Sequence, residues 1–192
     1  MILKNLHKKL ERITTRKGIT ILFVLAHSVL LIMMLYSFPK INAQLGAEAF
    51  DLRPGGYSPS EAMALLQNLD PATTDFYLFP QLFLLDVLYP ILLTLLLSTL
   101  IIRLSRLAKI NQQTIFSNLF LLPFMAMLAD YAENSMIAIM ITDPANVTSG
   151  FIQTASVFTQ LKAGITTLSW LVILILLVVW LVGSRKNKKL AK

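Results

Sequence analysis

Asp130, Glu133 and Asn134 are spaced i, i+3 and i+4, so in a helix they place two carboxyls and a carboxamide on one face. Asp86 lies in the segment Leu85-Asp86-Val87-Leu88-Tyr89-Pro90, and Pro90 cannot donate to the carbonyl four residues back, which is that of Asp86 itself. A free backbone oxygen is therefore expected beside the acid, with Tyr89 as a further polar neighbour. All three acids interrupt runs otherwise apolar enough to cross lipid. An ionised carboxylate there costs several kcal/mol unless it is paired, hydrated or protonated, so intramembrane acids read as a functional site. Lys162, in the last apolar run, is the expected counter-ion. Three carboxyls and one amine leave surplus negative charge in a dry site, and a proton on at least one acid is expected to relieve it.

These residues need helices to position them. The chain has 192 residues, 56% of them hydrophobic, with a mean hydropathy of +0.68, which is more apolar surface than a soluble core of that size can hide. Runs at about 18 to 38, 78 to 103, 114 to 142 and 156 to 183 are each long enough to cross a hydrocarbon slab of roughly 30 Å. They are continuous rather than alternating, which disfavours a β-barrel. At about 1.5 Å per residue from the inner ends, Asp86, Asp130 and Glu133 share a layer in the outer half of the bilayer, and Lys162 lies just above it. His27 falls in a lower layer and lacks a second His or Cys, so no zinc or haem site is expected.

Cationic residues precede the first run (Lys4, Lys8, Lys9, Arg12, Arg16, Lys17), follow the second (Arg103, Arg106, Lys109) and follow the fourth (Arg185, Lys186, Lys188, Lys189, Lys192). Four crossings put all three clusters on one side, which the positive-inside rule makes cytoplasmic. The expected fold is an all-α integral membrane four-helix bundle, one membrane domain over 1–192, with both termini inside. In the outer loop 39–77, Ser58-Pro59-Ser60-Glu61 combines a cap, a proline suited to the first helical position and a capping-box acid, so a short amphipathic helix is expected at about 59–69.

The net charge of +7 flanks spans and comes with no base-reading motif, so membrane lipids are the expected partners and nucleic acid is not. Cysteine is absent, which removes thiol chemistry and disulfide frameworks. The methionines, Met33, Met34, Met125, Met127, Met136 and Met140 among them, read as packing and lipid contacts rather than copper ligands. No metal and no cofactor is expected.

The segments Leu85-Asp86-Val87-Leu88-Tyr89-Pro90 and Ala129-Asp130-Tyr131-Ala132-Glu133-Asn134 resemble those of a set of uncharacterised bacterial four-span membrane proteins with L-D-x-L-Y-P in span two and A-D-x-x-E-N in span three. That resemblance covers roughly residues 55 to 140 and implies the same four-helix layout. A looser similarity is to sterol-isomerase and sigma-2-receptor-like four-span proteins, which also bury acids in a bundle cavity. The expected role is a multi-pass inner-membrane protein that binds or conducts a small cationic or amphipathic ligand, with proton coupling. Its site is Asp86, Asp130, Glu133, Asn134, Lys162 and Tyr89, and a homo-oligomer or membrane-protein partner is expected if it transports. The alternatives are an intramembrane lipid or sterol isomerase using the same acids, and a structural or assembly protein in which the acids only fix helix register.

Overall fold

Four helices are long and apolar enough to cross a membrane, as in a multi-pass membrane protein: Arg16–Leu45, Pro71–Leu107, Asn118–Thr142 and Ser149–Ser184. In the computed structural model the described residues are 2–110 and 115–190, with no side chains described after Ser184. Thr114, at the expected start of the third span, and Lys192 lie outside them. Among the described residues there is no strand. In chain order the helices are α1 (Ile2–Ile13), α2 (Arg16–Leu45), α3 (Pro59–Gln67), α4 (Pro71–Leu107), α5 (Leu122–Thr142) and α6 (Ser149–Leu190).

The helix ends follow from local chemistry. Thr15 starts α2 by accepting the Gly18 amide at 3.0 Å, and Gly46, at φ +68°, ends it in the left-handed conformation that glycine adopts without strain. α2 runs past the expected boundary near residue 38. Pro39 has no amide for the Leu35 carbonyl, and a widened π-type turn at Met33–Ser37 absorbs the missing bond so that the helix continues. Ser58 and Glu61 form the expected capping box of α3. The Asn68-Leu69-Asp70-Pro71 segment ends α3 and also starts α4, because Asp70 accepts the Thr73 amide at 2.7 Å and Pro71 fits the first turn. Helix therefore begins before the apolar run at 78. It is interrupted at Phe79, where the backbone is extended (φ −141°, ψ 122°), within a second widened turn at Tyr77–Leu85.

The most extensive pairing is α5 with α6; α2 lies along α4, and α4 also touches α5 and α6. Without a hydrophobic drive between helices inside lipid, such contacts rest on close packing and interhelical hydrogen bonds. Thr94 donates to the Pro123 carbonyl at 3.0 Å and Ser98 to that of Phe120 at 2.8 Å, pinning α4 to the start of α5. Two apolar clusters bracket the molecule. The lower one gathers Leu10, Leu97, Ile101, Phe120, Ile173 and Leu176. Here α1 is tied to α4 by a Glu11–Arg106 ion pair and by Arg103 donating to the Thr14 carbonyl at 3.2 Å.

The upper cluster contains Ile41, Phe50, Tyr57, Leu66, Tyr77 and Ile152. Here the segment between α2 and α3 turns inward. The Ala49 amide donates to Asn42 Oδ1 at 2.8 Å, and the Tyr57 amide to Ser156 Oγ at 2.8 Å. Gly56 (φ +81°) lies so close to α6 that a Cβ there would stand 2.3 Å from Gln160 Nε2 and 2.5 Å from Ser156 Oγ. Phe50 and Tyr57 meet edge to face at 5.0 Å. Burial raises the Tyr57 phenol well above its ordinary value, so it stays neutral. Ala62, Leu65 and Leu66 of α3 are buried against the same cluster.

Candidate functional site

Between the two clusters lies a cavity of about 330 Å³, at the lower end of the range for small-ligand sites. Its upper wall carries Asp51, Asp86, Tyr89, Asp130 and Lys162, and its lower wall Leu93, Leu97, Pro123, Ala126 and Met127. Asp86 and Leu97 are separated by three turns of α4, so the cavity is roughly 16 Å long at 1.5 Å per residue. One end is acidic and the other apolar.

α5 supplies the i, i+3, i+4 face. Asp130 (5% exposed), Glu133 (0%) and Asn134 (8%) all point into the protein. Lys162 of α6 reaches both acids: its Nζ is 2.8 Å from Asp130 Oδ1 and in contact with Glu133 Oε2. One ammonium is thus shared by two carboxyls, an arrangement that offsets the desolvation of a buried cation. Glu133 stands behind Lys162, outside the cavity lining, whereas Asp130 and Lys162 border the open space.

α4 supplies Asp86, 3% exposed. Its carbonyl, freed by Pro90, accepts the Asn134 side-chain amide at 3.2 Å, and Tyr131 donates to the Val87 carbonyl at 3.0 Å. The broken hydrogen-bond ladder therefore joins α4 to α5 at the level of the acids, as tolerated where irregular backbone is buried in protein. On the Asp86 side chain, Oδ2 is buried without a protein donor.

Sequence reasoning missed Asp51, which lies in the outer loop 39–77 and was not among the expected site residues. The short turn Phe50–Leu52 lowers Asp51 into the top of the cavity. Its Oδ2 accepts the Tyr77 hydroxyl at 2.5 Å, and that hydroxyl accepts the Phe50 amide at 3.2 Å. Its carboxyl stands within hydrogen-bond reach of that of Asp86, and Oδ1 has no donor from the protein. The available signal was its setting: Ala49-Phe50-Asp51-Leu52 embeds an acid among apolar residues within an otherwise polar loop.

Other polar residues divide between the site and its surroundings. Tyr89, Thr94, Thr166 and Thr167 line the cavity. Gln81 is fully buried, and neither atom of its amide has a protein partner. His27 stays apart: its Nδ1 pairs with the Phe23 carbonyl at 2.8 Å and its ring stacks on Phe23 at 4.0 Å. Among the described residues no group of three or more His, Cys, Asp or Glu is arranged to hold a metal ion.

The arrangement can accept hydrogen bonds or a positive charge at its upper end and apolar atoms below. Three carboxyls face the space against one ammonium that is already engaged. No protein-family model, curated protein or solved structure matches this chain.

Proposed function

We propose that the long helices form a four-helix bundle in a bacterial inner membrane, with both termini cytoplasmic, and that the acidic cavity binds a small cationic or amphipathic ligand in exchange for protons. The orientation is supported by the cationic clusters before α2 and after α4 and α6. It puts Asp51 and α3 on the outer side and the acids in the outer half of the bilayer.

The observation that carries the ligand reading is the facing pair Asp51 and Asp86, with Oδ1 of one and Oδ2 of the other left without a protein donor inside a cavity. Acids that served only to fix helix register would be expected to find partners on neighbouring helices, as Asp130 and Glu133 do with Lys162. Among the described residues neither Asp51 nor Asp86 has a cationic partner, and their oxygens without a donor are open to something that enters the cavity. A cation meets two carboxylates there, and a proton competes for the same oxygens. Asp86 and Asp51 are the binding groups, Asp130 contributes negative charge, Lys162 is its counter-ion, and Asn134 and Tyr89 shape the wall.

Octyltrimethylammonium is a suitable probe because it keeps its charge at every pH, so any pH dependence of its binding belongs to the protein. Calorimetry on purified protein is expected to show affinity falling as pH drops and protons occupy the carboxyls. Asp86→Asn keeps shape and hydrogen bonding but removes charge, and is expected to weaken binding about tenfold or more while leaving the protein folded. Equal affinity in wild type and Asp86→Asn would refute the reading.

A further inference from the structure

We infer that the ligand reaches the acidic cavity sideways from the bilayer, through a gap between α2 and α6, and is therefore a membrane-dissolved single-chain amphiphile with a cationic head. This deepens the binding reading above and rests on it.

Above, the route to outer water is filled by Ala49, Phe50 and Tyr77, each 0% exposed, and by Tyr57, held to α6 through Ser156. Gly56 is already as close to α6 as a residue can come, so the segment fits that helix without space for passage. Below, Leu97, Ile101, Phe120 and Ile173 form a packed floor, every one of them buried. Around the sides, α4 meets α2, α5 and α6, and α5 meets α6 extensively. Among the described residues, α2 makes no substantial contact with α5 or with α6, and the wall residues decide between these two gaps.

The wall residues point to the gap between α2 and α6. α2 contributes Leu30 alone to the cavity wall, while α6 contributes Ala163, Thr166 and Thr167 beside Lys162. Thr167 both lines the cavity and is exposed, and Leu30, Ala163 and Thr166 are half-buried. The interior therefore reaches the protein surface between Leu30 and Thr167. Their helices turn exposed apolar faces outward there, with Leu31 54% and Leu171 49% exposed, so the opening faces acyl chains rather than water. The shape of the cavity agrees: carboxyls above and a mostly apolar wall below, over a total length of roughly 16 Å, suited to a head and one tail.

The test uses the absence of cysteine. Leu30→Cys and Thr167→Cys in the full chain give two thiols that a reducible bis-maleimide reagent can bridge across the gap. Binding of radiolabelled octyltrimethylammonium is then followed in proteoliposomes. The unbridged double variant sets the reference rate; the bridged protein is expected to associate about tenfold more slowly than that or worse, and reduction of the bridge to restore it. An unchanged rate in bridged protein would overturn lateral access and leave the acidic site standing. Wild-type protein that binds no octyltrimethylammonium at all would overturn both.

Discussion

Lys162 is the residue on which the buried charges turn. It satisfies Asp130 and Glu133 together, so replacing it leaves two uncompensated carboxyls where there was one shared ion pair. Removing one partner of a buried pair costs about 3 to 5 kcal/mol, and Lys162→Met is expected to lose stability on that scale in detergent unfolding titrations. Lys162→Met combined with Glu133→Gln is expected to recover part of the loss, because one of the stranded charges is gone; no recovery would mean that Lys162 stabilises by packing alone. These residues were legible in the sequence because a charge in an apolar run has few ways to persist. Asp51 was not. It lies outside the long apolar runs, and only the folding of the loop under Tyr77 brings it to Asp86.

At the scale of elements, the short outer-loop helix was easier to read than the bounds of the long ones. Ser58, Pro59 and Glu61 announce α3 because capping is local chemistry. The extension of α2 beyond Pro39 and the start of α4 at Pro71 were hidden, since hydropathy marks what touches lipid, whereas helix continues into the upper apolar cluster. Hydrogen bonds from the Ser58 hydroxyl and then its amide hold Glu61 below its usual range, and the Thr73 amide does the same for Asp70. A carboxyl whose folded value is depressed contributes stability above its unfolded value and loses that contribution as pH falls through the folded one. The first turns of α3 and α4 are therefore expected to loosen in acid. Hydrogen exchange at Ala62 and Met63, corrected for intrinsic rate, should show protection falling with pH in wild type and little dependence in Glu61→Gln. Equal pH dependence in both would assign the effect elsewhere.

Across the whole molecule, two apolar clusters close the ends of the helix assembly and leave an acidic, partly open space between them. The number of spans and the location of the acids follow from composition and spacing. The cavity itself is enclosed by α2, α4, α5, α6 and the Phe50–Leu52 turn, with Pro90 and Pro123 in its wall, and no local signal encodes that convergence. The claim that this space holds a cation at Asp51 and Asp86 is tested most directly by anomalous scattering from crystals grown with 8-bromooctyltrimethylammonium. A bromine peak is expected at the cavity floor beside Leu97 and Pro123, with the head group against the two carboxyls. Bromine found only in the detergent around the outer faces of the helices would contradict it.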